Sequence, residues 1–169
     1  MSGRWLGSVY SAFVNDGYDL STPRSRREAL RLVSLDDPVR NHALLRQVFD
    51  YELAWRESPE DGVGDEFENI YLCAFLLFLI GDPADSPRLY RAKFGTSDFD
   101  LATGFDAQAI FGAGRTETVQ WLRTNGFAKE EATLTEWLAT GEDPTVEEWA
   151  EFRRGYFYSP DGELLLDPL

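Results

Sequence analysis

Apolar residues recur along this chain mainly at helical spacing. In "DDPVRNHALLRQVFDYELAWRES", Leu44, Val48, Tyr51 and Trp55 fall at i, i+4, i+7 and i+11, and Leu45, Phe49 and Leu53 widen the stripe. This pattern predicts an amphipathic helix with a broad buried face. Asp37 is placed to cap it, with Pro38 at its first position. The next helix reads differently. From Ile70 to Ile80 the chain has 11 apolar residues without interruption. A helix apolar nearly all round belongs at the centre of a bundle or between layers. It falls short of the roughly 20 residues that span a bilayer. Gly81 suits its C-terminal end.

The remaining elements follow from caps and breakers. Residues 1–22 carry helical and strand character, then a loop. Pro23 and "RSRREALRLVSL" predict a short helix whose Arg24, Arg26 and Arg27 form a solvated start. Another short helix is expected from about Asp106 to Phe111. "RTETVQWLRTNG" predicts a helix capped near Thr116 and ended by Gly126. "AKEEATLTEWLATG" predicts one with Leu134, Trp137 and Leu138 inward and Gly141 at its end. In "DPTVEEWAEFRRGYF", Asp143 is placed as the cap, Pro144 at the first position, and Val146, Trp149 and Phe152 on one inward face. The tail "YFYSPDGELLLDPL" has turn chemistry between apolar triplets, which fits a short β-hairpin or an extended tail. The expected fold is all-α, a single domain over 1–169. It has about seven or eight helices, as stacked antiparallel hairpins or an irregular bundle.

An internal echo bears on that choice. "LDDPVRNHALL" (35–45) and "IGDPADSPRLY" (80–90) align without gaps at a spacing of 45, and "GEDPTVEEWAEF" repeats the Asp-Pro start a further 61 residues on. Helical-pair repeats have periods of about 40–47 residues. The apolar-Gly-Asp-Pro-x-x-x-Pro-x-Leu phrase resembles the inter-helix turn of HEAT-like repeats over residues 35–95. The resemblance implies stacked hairpins presenting a protein-binding surface rather than a catalytic pocket. Asp82 and Pro83 then make a turn, with Asp85 or Ser86 capping the helix beyond.

Charge changes the functional picture. The chain has 30 acidic and 16 basic residues, and residues 57–169 hold 23 of the acids against 8 bases. A field of this sign attracts basic partners and repels nucleic acid. Two acidic stretches read as loop-like contact regions. "ESPEDGVGDEFE" contributes Glu57, Glu60, Asp61, Asp65, Glu66 and Glu68, with no base among them. "SDFDLATGFD" contributes Asp98, Asp100 and Asp106. From Glu130 to Glu151 there are eight further acids and no base, interleaved with Trp137 and Trp149.

The chemistry inventory is short. His42 is the single histidine and reads as a solvated or capping residue; Cys73 is the single cysteine and lies in the apolar run. No nucleophile–base pair, structural zinc set or nucleotide-binding glycine loop is present. Counted from Asp98, a calcium loop would need Gly at position 6 and Glu at position 12. Thr103 and Ala109 stand there instead. A lone cysteine and an N-terminus without a hydrophobic signal core fit a cytoplasmic protein. The expectation is a non-enzymatic module with no cofactor and no metal, engaging a basic protein and neither nucleic acid nor membrane. In general character the chain is similar to small acidic bacterial immunity proteins, which neutralise a cognate toxin. The alternatives are a carboxylate or metal-dependent hydrolase using the 98–106 loop, and a self-associating scaffold.

Overall fold

The computed structural model describes residues 17–58 and 68–166. Among them the chain forms eight α-helices and no strand: α1 Pro23–Arg31, α2 His42–Glu57, α3 Glu68–Ile80, α4 Ser86–Tyr90, α5 Phe99–Gly104, α6 Arg115–Thr124, α7 Ala128–Ala139 and α8 Val146–Phe157. The expected all-α architecture is therefore observed. No helix among the described residues is long and apolar enough to cross a membrane.

The apolar run is the hub, as its pattern requires. Ile70, Leu72, Cys73, Phe75, Leu76 and Leu77 of α3 are buried, and the helix packs against α2, α1, α8 and the 3-10 turn Ala107–Phe111. Asn69 faces Glu52 and Cys73 faces the Leu45 carbonyl, so α2 and α3 run antiparallel. Phe75 carries an aromatic cluster with Trp149, Phe157 and Tyr158 at centroid separations of 6.1–6.4 Å. Burying a ring of this size contributes about 1.5–3 kcal/mol. Two glycines let backbones meet at the end of α3. Gly81 has φ +69°, and a Cβ on it would lie 2.9 Å from the Gly112 carbonyl oxygen. A Cβ on Gly112 would overlap the Phe78 carbonyl and sit 2.8 Å from the Phe78 Cα.

Several local expectations are corrected. Asp37 makes no cap bond and pairs with Arg40 at 2.6 Å, because Pro38 opens a 3-10 turn (Pro38–Asn41) before α2 begins. The matching Pro83–Asp85 segment is also a 3-10 turn, here capped by Asp82 through the Ala84 amide at 2.9 Å. Neither Asp85 nor Ser86 caps the next helix: the Ser86 hydroxyl donates to the Pro83 carbonyl. α4 is five residues long and continues into a π-helical turn, Arg91–Gly95. The short helix expected at 106–111 is a 3-10 turn. Thr145, not Asp143, caps α8, in a reciprocal pair with Glu148. The terminal segment closes on one antiparallel bridge, Tyr158 with Leu164, rather than a two-stranded hairpin. The ambiguous segment before residue 17 lies outside the described residues.

The largest departure is at α1. Arg26 and Arg27, expected in solvent, are buried. Arg26, Ala29, Leu30 and Val33 follow the spacing i, i+3, i+4, i+7, so the second arginine falls on the inward stripe. Its Nε meets Glu52 at 2.6 Å and its Nη1 donates to the Leu20 carbonyl at 2.9 Å. Asn69 joins the network, donating to Glu52 and to the Pro23 carbonyl at 2.9 Å each and accepting from Arg27.

Candidate functional site

The predicted contact carboxylates separate into distinct roles. Glu57, at the end of α2, is ion-paired with Arg91. Asp98 caps α5 through the Leu101 amide at 2.9 Å and lies 4.0 Å from Arg56. Asp106 accepts from the Trp149 indole at 2.8 Å and from Arg153 at 3.1 Å. Glu68 accepts from the Tyr156 hydroxyl at 3.0 Å. Asp100 is exposed in the first turn of α5. Glu60, Asp61, Asp65 and Glu66 lie outside the described residues.

Three of these acids converge on Tyr71, a residue that sequence reading did not select. The Arg56 and Arg153 guanidiniums sit 5.8 and 5.6 Å from its ring centroid. Burial pushes the Tyr71 phenol up; Arg56 and Arg153 pull it down, while Glu68 and Asp106 raise it further. Asp98 adjoins through Arg56. The helix ends of α2, α3 and α5 thus meet α8 around one half-buried tyrosine. Arg56 and Arg153 stand 97 residues apart in the chain, so no local spacing marks the cluster.

The outer face of α8 adds the aromatic component. Phe152 is 62% exposed and Tyr156 43% exposed, and their rings stack at 6.1 Å with a 28° tilt. Glu148, Glu151 and Gly155 complete a shallow groove beside them. This corrects the inward placement of Phe152. Val146 and Trp149 are buried as expected, but the stripe continues through Arg153 to Phe157, four residues per step. Phe152 is rotated one position off it and faces out.

The acidic run from 130 to 151 is partly neutralised at home. Arg115 binds Glu142, with Nη2 at 2.6 Å, and Glu147, with both distances 2.9 Å; Arg123 pairs with Glu131 at 2.7 Å. The Arg115 bond holds the Glu147 carboxyl down to about 2, and the same arginine lowers Glu142.

Among the described residues, His42, Asp82 and Asp85 come within ligand distance of one another. His42 is not a solvated residue: its Nε2 is 2.6 Å from the buried Asp85, and its Nδ1 is 4.0 Å from Asp82. The two ring nitrogens address different carboxylates. Arg46 already binds Asp85 at 2.6 Å and Asp82 at 3.0 Å, and Arg88 reaches Asp85 at 3.3 Å and Asp50 at 2.7 Å. A cation would have to evict Arg46, so this joint is an ion-paired clamp between α2 and α4. Asp98, Asp100 and Asp106 do not share a centre: one caps a helix, one is exposed, and one is held by Arg153. Cys73 is fully buried; burial pushes its thiol well up, which leaves it unreactive.

In comparisons with known proteins, no protein-family model, curated protein sequence or solved structure matches this chain.

Proposed function

We propose that this chain is a non-enzymatic protein-binding module that engages a basic protein partner through the outer face of α8 and the acids around it. Its most concrete form is a bacterial immunity protein that covers the basic face of a cognate toxin. One observation carries the reading: Phe152 and Tyr156 stand exposed and stacked, with Glu148 and Glu151 on their rim. Large aromatics inside a charged rim are the anatomy of a binding hot spot. The net charge of −14 supplies the long-range attraction for a basic partner. Glu68 reaches the same face through Tyr156, and the acids from Glu57 to Glu66 precede it in sequence. No cofactor enters this function.

The test uses two baits, the wild-type chain and a Phe152→Ala/Tyr156→Ala double variant, followed by titration of the recovered protein. The expected partner is basic, is retained by wild type and lost by the variant, and is toxic when expressed alone, with growth restored by co-expression of this chain. Its affinity should fall by an order of magnitude or more from low to moderate salt. Equal retention on both baits, or affinity indifferent to salt, would overturn the reading.

A further inference from the structure

We infer that the groove on α8 is an arginine-recognition notch that receives a guanidinium from the partner surface. The inference rests on the partner-binding reading above and specifies its central contact. Both exposed rings already take a guanidinium within this chain: the Arg153 carbon lies 5.8 Å from the Phe152 centroid and 5.7 Å from that of Tyr156. Arg153 is itself tied to Asp106 and does not line the groove, so it is a fixed neighbour of the rings rather than the groove's occupant.

The groove side of the same rings meets Glu148 and Glu151. Glu148 commits one carboxylate oxygen to the Thr145 cap, and Glu151 is exposed. Gly155 lies three residues after Phe152 and four after Glu151, hence on their face. Glycine weakens a helix interior, and a Cβ at this position would meet nothing within 4 Å. Packing therefore does not require the glycine. Its effect is an open floor between an aromatic wall and a carboxylate rim. A guanidinium stacks flat on rings and pairs with a carboxylate through two N–H groups, whereas an ammonium is a compact, strongly hydrated point charge. The groove's geometry and charge match arginine over lysine.

Fluorescence polarisation at low salt with two labelled peptides, three arginines alternating with glycine and the lysine counterpart, tests this directly. Wild type should bind the arginine peptide about tenfold more tightly than the lysine one. Gly155→Leu fills the floor and should erase that preference, and Glu151→Gln should weaken arginine binding several-fold. Gly155→Ala, with melts followed by circular dichroism on every variant, separates lost binding from lost folding. Equal affinity of wild type for both peptides overturns the notch, as does a folded Gly155→Leu variant that binds arginine like wild type. If either occurs while Phe152→Ala/Tyr156→Ala still abolishes partner capture, the notch fails and the partner-binding reading stands. If arginine preference is found and no captured basic protein depends on this face, the notch stands and that reading fails.

Discussion

Replacing Glu52 with Ala strands the Arg26 guanidinium in the core. The two side chains are 1% and 2% exposed, so water cannot reach in to screen the charge. Arg26 would keep the Leu20 carbonyl and the Tyr51 and Trp55 rings at 5.9 and 5.6 Å, and Asn69 would lose one acceptor. Removing one partner of a buried pair costs about 3–5 kcal/mol. Domains are stable by about 5–15 kcal/mol in total, so the variant lies near the edge of folding. At roughly 2–4 °C per kcal/mol for a chain of this size, Tm should drop by about 6–20 °C. Arg26→Met/Glu52→Leu removes both charges at similar volume and should recover most of the loss. Urea unfolding of wild type, both single variants and the double variant gives the coupling energy. A Glu52→Ala loss below about 1 kcal/mol, the scale of an exposed pair, would refute the reasoning.

Acid should loosen the α6–α8 clamp. A carboxylate whose folded value is depressed contributes stability above its unfolded value and loses it as pH falls. For Glu147 that window runs from the ordinary 4.5 down to about 2. Carboxyl-carbon NMR should show Glu147 titrating near 2 in wild type and returning toward the ordinary range in Arg115→Ala; an unchanged titration would exclude Arg115 as the cause. Gly112→Ala drives a methyl into the Phe78 backbone and should cost about 1–3 kcal/mol or more. Gly155→Ala should instead gain about 0.5–1 kcal/mol, and calorimetry finding the same sign for both would contradict the contrast.

The helices were legible because a stripe repeated over several turns averages out single exceptions, as in α2 and α3. The exceptions themselves were not. Phe152 looked inward because apolar residues usually are; the inward slot went to Arg153, whose stem packs while its head meets Asp106. Arg26 stood at a core position of the stripe, but its charge argued for solvent until Glu52, 26 residues on, supplied a partner. Acidity singled out Glu68, Asp98 and Asp106, which the fold sets around Tyr71. It missed Arg56, Tyr71 and Arg153, which gather them, because those contacts exist only once α3 and α8 are packed together.

The three-helix network at α1 bears on where this fold can be cut. Glu52 and Asn69 belong to α2 and α3, yet both take counterpart atoms from Pro23–Arg27. A fragment starting after α1 would hold a carboxylate and a carboxamide against an apolar interface with no charge or carbonyl to answer them. Such a piece gains more by opening α2 to water than by keeping it docked. The smallest autonomous unit therefore begins no later than Leu20, and α1 is a condition of the core rather than an extension added to it.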